Sequence, residues 1–134
     1  MGAWNYAVFD DDTAYDALDD LKASQTIIAD MEKYFDGAIN AEYVEYDEGH
    51  YALVCAAIID SAVNNTVHGC DYDWYPEWIE SLSNLDFIPL KEKARKAIDA
   101  VLSDRSELKE LWEENKELYS SWREEKLSIQ ERLI

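Results

Sequence analysis

The chain has 134 residues, a formal charge of −18 and a hydrophobic fraction of 48%. That length suits one domain able to bury a core without metal or disulfide staples, and the apolar content excludes an intrinsically disordered chain. With only 12 basic residues against 30 acidic ones, direct binding to nucleic-acid phosphates is excluded as the main role, because phosphates need Lys and Arg.

The charge is unevenly placed. Residues 1–89 hold 19 acidic side chains and two basic ones, Lys22 and Lys33, a balance of −17, whereas residues 90–134 balance at −1. Such a field aids solubility and attracts basic partners, while it strains the compact state through self-repulsion. Two cysteines, Cys55 and Cys70, are too few for a disulfide framework and read as thiols. Met1 to Asp12 has no basic run or apolar stretch of a secretory signal, and the apolar run Tyr51 to Ile59 is too short to span a bilayer. The expectation is a cytoplasmic protein without a membrane role.

In chain order, Trp4, Tyr6 and Val8 alternate and suit a short extended aromatic segment. Asp12 or Thr13 then caps a helix carrying Ala14, Leu18 and Leu21 and ending near Ala23. Ser24 is positioned to cap the next, whose stripe is Ile27, Ile28, Met31, Tyr34 and Phe35, with Gly37 marking its end. The run from His50 to Val63 is apolar on almost every face and predicts the central helix. A loop over 64–75 leads to Pro76 at the start of a short helix with Trp78, Ile79 and Leu82, and Pro89 closes the following loop. Ala94, Ala97, Ile98, Val101 and Leu102 mark a further helix. Asp104 with Glu107 gives a capping-box spacing for a long last helix, whose stripe from Leu108 to Leu133 is interrupted by Asn115. The pattern predicts an all-α protein, a single domain over residues 1–134, with five or six helices and an extended aromatic N-terminal segment.

Three blocks together resemble a known family: Met1-Gly2-Ala3-Trp4 with Phe9-Asp10-Asp11-Asp12-Thr13-Ala14-Tyr15-Asp16, Glu45-Tyr46-Asp47-Glu48-Gly49, and Ser106-Glu107-Leu108-Lys109-Glu110-Leu111-Trp112-Glu113. They are similar to the bacterial domain of unknown function family 4259 (DUF4259), nearly end to end. Asn5 and Ala7 stand where that family usually has glycines. The resemblance implies a bacterial or phage origin and a shared fold, and it brings neither an activity nor catalytic residues.

Candidate chemistry is sparse. Val8-Phe9-Asp10-Asp11-Asp12-Thr13 resembles the Asp-x-Asp-x-Thr motif of haloacid-dehalogenase-like phosphatases, with Asp10 as nucleophile and Asp12 as acid/base, but the alternating sheet and phosphate lysine of that chemistry are not in the pattern. Counted from Asp10, a calcium loop would need Gly and Glu where Tyr15 and Leu21 stand. Of His50, Cys55, His68 and Cys70, only the last two are close, so no zinc site is expected. No cofactor, metal or catalytic residue is assigned. Two stretches suit a partner instead. Asp10, Asp11, Asp12, Asp16, Asp19 and Asp20 form the densest acidic cluster, and Asp71, Asp73, Trp74, Tyr75 and Glu77 combine acids with the rings that favour interfaces. The reading is an acidic inhibitor of antitoxin, immunity or anti-defence type, with a basic protein as partner, whose carboxylates stand in for phosphates on a nucleic-acid-handling target. The alternatives are a magnesium-dependent phosphohydrolase using Asp10 and Asp12, and a housekeeping domain whose acidity serves solubility alone. The C-terminal helix offers a route to a homodimer, although its heptads are irregular.

Overall fold

About two-thirds of the chain is helical, in the stretches where apolar residues recur at three- and four-residue spacing. A computed structural model describes residues 3–134, so Met1 and Gly2 of the opening block lie outside the described residues. It comprises α1 (Asp12–Ala23), α2 (Ile27–Asn40), α3 (Tyr46–Asn64), α4 (Tyr75–Ser81), a 3₁₀ turn (Ile88–Leu90), α5 (Lys91–Val101), α6 (Glu107–Glu113) and α7 (Tyr119–Arg132). Among the described residues there is no strand, and no helix is long and apolar enough to cross a membrane.

The centre is α3. Residues 52–61 are all buried, and the helix touches each of the other six. This follows from its sequence: a helix apolar on every face loses solvation everywhere unless other helices surround it. Leu18 and Leu21 of α1, Met31 and Phe35 of α2, Ile98 of α5 and Trp122 of α7 complete the core. The start of α3 is held by a capping box between Glu45 and Glu48, and by a parallel bridge in which Val44 exchanges backbone bonds with Arg105 (2.7 Å) and Glu107 (2.9 Å).

Five sequence expectations are corrected, the first being that Asp11, and not Asp12 or Thr13, caps α1. The long last helix is two, α6 and α7, because Asn115 takes the Leu118 amide on its side chain (3.0 Å) and breaks the ladder, which brings the helices among the described residues to seven. Ser106, not Asp104, caps α6, accepting from the Lys109 amide. Thr26 is the cap residue of α2, while Ser24 uses its hydroxyl to bond the Thr26 amide and Asp30. Gly37 does not end α2. The helix continues to Asn40, and the Arg105 guanidinium donates to the carbonyls of Ala38, Ile39 and Ala41 at its end.

The aromatic N-terminal segment stands outside the helices, but it folds back on itself instead of running straight. Trp4 N–H donates to the Asp10 carbonyl (2.9 Å), Asp10 N–H to the Ala7 carbonyl (3.0 Å), and the Asp10 carboxylate takes the Ala7 amide (3.2 Å). This closed loop buries Val8 and Phe9. It is latched to α7, where Glu125 accepts the Val8 amide and the buried Lys126 ammonium donates to the Tyr6 carbonyl (2.7 Å) and to Glu125.

Gly49 lets α3 approach Leu108 of α6 closely. A Cβ there would lie 2.7 Å from Leu108 Cδ1, and Leu108 is fully buried. Gly49→Ala is expected to destabilise the protein by about 1–2 kcal/mol in urea unfolding, since overpacking outweighs the gain in helix propensity. Combining it with Leu108→Ala should give less than the sum of the two single costs.

Candidate acidic and aromatic interface

The outer face of α1 follows from its register. Asp12, Asp16 and Asp19, with Asp20 beside them, are exposed, while Ala14, Ala17, Leu18 and Leu21 point inward. Each four-residue step moves a carboxylate about 6 Å along the axis. The segment 71–77 lies against this face. Tyr72 donates its hydroxyl to Asp19 (3.2 Å), the Asp71 amide donates to the Tyr15 hydroxyl (2.8 Å), and the Lys22 ammonium sits 5.4 Å from the centre of the Trp74 ring. The two stretches singled out in the sequence therefore form one surface.

Rings run through the middle of that surface. Trp4 stacks on Tyr15 (6.0 Å between centroids), Tyr15 meets Tyr72 edge-on (4.8 Å), Tyr72 stacks on Trp74 (4.9 Å), and Trp74 meets Trp78 edge-on (5.6 Å). Trp4 is 54% exposed and the other four are partly buried. Asp16, Asp71, Asp73 and Glu77 are exposed near this row. Burial pushes the Tyr15 hydroxyl up to about 12 although the bond from the Asp71 amide works against the rise, so the ring remains neutral and a hydrogen-bond partner. At the far edge of α1, Tyr51 donates to Asp20 (2.6 Å) and packs on Tyr34.

Two of the predicted residues are not on the surface. Asp11 is 1% exposed: it caps α1 by accepting the Thr13 amide (2.7 Å) and takes the Tyr46 hydroxyl. His50 Nε2 stands 3.3 Å from Asp11 Oδ2 but is angled away from hydrogen-bond geometry, which leaves that nitrogen without a hydrogen-bond partner among the described residues. Burial pushes the Asp11 carboxyl up, but His50, Tyr46 and the Thr13 amide more than reverse this and hold it at about 2. Tyr75 is also buried, edge-on to Phe9, with its hydroxyl 3.0 Å from Ser61 Oγ. Asp10 is half-buried within its turn. Asp12 begins α1, and residues 4–10 form bends and turns where a phosphatase motif would have its strand.

Sequence reasoning missed a second polar centre. Asp60 is fully buried, yet it accepts from Arg132 Nε (3.1 and 3.0 Å) and Nη2 (2.8 Å), from Asn64 (2.9 Å), Thr66 (3.0 Å) and His68 Nε2 (3.0 Å). Burial alone would raise its carboxyl, but His68, Arg132, Asn64 and Thr66 hold it well below the usual carboxylate range. The signal available in the sequence was an acid inside an otherwise uncharged apolar run, which needs a partner. Cys55 is buried in the core, where loss of solvation raises its thiol far above the ordinary range. Among the described residues no group of three or more His, Cys, Asp or Glu side chains is placed to hold a metal ion.

Fold and surface together define a small helical protein with an acidic surface on α1 and segment 71–77 that aromatic rings cross. The family model described as Domain of unknown function (DUF4259) matches residues 2–125, and the chain belongs to that family. No curated protein and no solved structure matches it.

Proposed function

We propose that this is a cytoplasmic protein-binding inhibitor, of antitoxin, immunity or anti-defence type, whose α1 and 71–77 face covers a basic surface on a nucleic-acid-handling target. The observation that carries the reading is the joining of two stretches about fifty residues apart into one surface, acidic at its edges and aromatic along its middle. Lys22 is the single cation within α1 and segment 71–77, and it rests on the Trp74 ring. Carboxylates on a rigid helix meet Lys and Arg without reorganising, and neighbouring rings supply the desolvated area that hot spots need. A partner's guanidinium would find both a charge and a ring face.

The test is affinity capture from a lysate with the wild type and with Asp16→Asn/Asp19→Asn/Asp71→Asn/Asp73→Asn, all exposed positions. The expected result is a basic protein retained at low salt, released by salt and by excess duplex DNA, and lost with the fourfold variant. Trp74→Ala should weaken the same association by about tenfold or more. A captured set that is identical for wild type and fourfold variant, or no captured protein at all, would favour a domain whose acidity serves solubility alone.

A further inference from the structure

The segment after α3 arches over a cavity of about 400 Å³. Its walls include Ser61, Thr66, His68 and Tyr75, with Pro76 and Ile79 on an apolar side. It lies on the row of α4 that holds Tyr75 and Ile79, next to the row holding Trp74 and Trp78, and no exposed carboxylate or ring of the acidic face lines it.

The polar groups here are set by Asp60. An ionised carboxylate can only accept, so the His68 nitrogen bonded to it, Nε2, carries the hydrogen. In neutral His68 the acceptor is then Nδ1. The His68 side chain is only 7% exposed, and Nδ1 has no hydrogen-bond partner among the described residues, yet it is not sealed from the cavity that His68 lines. Fastening the loop does not need this second nitrogen, because Nε2 and Thr66 already do that. Ser61 Oγ and Tyr75 OH are 3.0 Å apart, so one hydrogen lies between them and the second hydroxyl hydrogen points elsewhere. The lining contains no Lys or Arg, and Glu80 is its one carboxylate. Anions are therefore disfavoured, while the volume falls in the range of pockets for small organic ligands.

We infer that this cavity binds a small ring-bearing amine: the ring against Pro76 and Ile79, a hydrogen-bond donor on His68 Nδ1, and the cationic end toward Glu80. The ligand would hold the 65–68 segment in the position that Asp60 already favours.

The experiment is a titration of the full chain followed by amide NMR, using tyramine and, as an anion of similar shape, 3-(4-hydroxyphenyl)propionate, each to about 10 mM, a range that reports any millimolar or tighter site. Saturable shifts at Ser61, Thr66, His68 and Ile79 are expected with tyramine alone. Glu80→Lys, a change at an exposed position, should weaken tyramine by about tenfold without lowering Tm. Ile79→Trp should fill the cavity and abolish the shifts while the helical circular dichroism is retained. The inference is overturned if no saturable shift appears at these amides, if the anion binds as well as the amine, or if Glu80→Lys leaves the affinity unchanged. None of these readouts depends on a protein partner, so the result is independent of the inhibitor reading.

Discussion

Replacing Asp60 with alanine should cost about 3–5 kcal/mol of stability, the largest loss expected from any single carboxylate in the chain. Asp60 joins three separate pieces: the last turns of α3, the 65–68 segment through Thr66 and His68, and the end of α7 through Arg132. Removing it leaves a guanidinium and an imidazole facing an apolar helix with no acceptor, and neither can be fully rehydrated without opening the loop. The loss is not symmetrical. The Arg132 side chain is 37% exposed, and without it the enclosed Asp60 carboxylate still accepts from Asn64, Thr66 and His68, whereas without Asp60 the Arg132, Thr66 and His68 donors all lose their acceptor. Arg132→Met should therefore cost less than Asp60→Ala, about 1–2 kcal/mol after allowing for solvent screening. Urea unfolding of the two variants and the double variant measures the coupling. In thermal scans Asp60→Ala should lower Tm by roughly 10–18 °C. A loss below about 1 kcal/mol would mean that the buried network is neutral and that the loop is held by packing alone.

This network also shows where sequence reading reaches its limit. The position of α3 was legible because its residues are apolar in every direction, and such a helix has one stable place. The outer face of α1 was legible because Ala14, Leu18 and Leu21 fix which side is buried and so which carboxylates face solvent. The partner of Asp60 was not, because Arg132 lies 72 residues away and no local pattern connects them. Asp10, Asp11 and Asp12 are neighbours of identical type, and only the geometry of the helix start decides that Asp11 turns inward as the cap while Asp12 stays in water. Tyr75 was grouped with Trp74 on composition, but Pro76 starts α4 in a register that sends Tyr75 onto Phe9 and leaves Trp74 beside Tyr72. The contact between α1 and segment 71–77 depends on the length of α3 bringing its far end back beside α1, which no single stretch reveals.

Acidification is expected to act on stability in two opposing stages. At pH 7 the formal charge is −18, most of it in the first two-thirds of the chain, and the compact state concentrates that repulsion. As pH falls toward about 5, the net negative charge shrinks, repulsion eases, and Tm should rise by a few degrees. Added sodium chloride should give a similar rise at pH 7 and little further rise at pH 5, because screening and protonation relieve the same repulsion. Below this the sign reverses. Asp11 is held at about 2 against an ordinary 3.8, and Asp60 is lower still. A carboxyl whose folded pKa is depressed contributes its stability above the unfolded value and loses it as pH falls toward the folded one. For Asp11 alone the shift corresponds to about 2 kcal/mol, lost progressively between about pH 4 and pH 2. With Asp60 losing Arg132 and His68 as partners over the same descent, Tm should fall steeply below pH 4. Asp11→Asn should remove part of that dependence and Asp60→Asn a larger part, at the cost of lower stability at pH 7. A Tm that declines steadily from pH 7 downward would show that repulsion is too weak to matter. A Tm still rising at pH 3 would show that neither buried carboxylate holds its partners as the geometry requires.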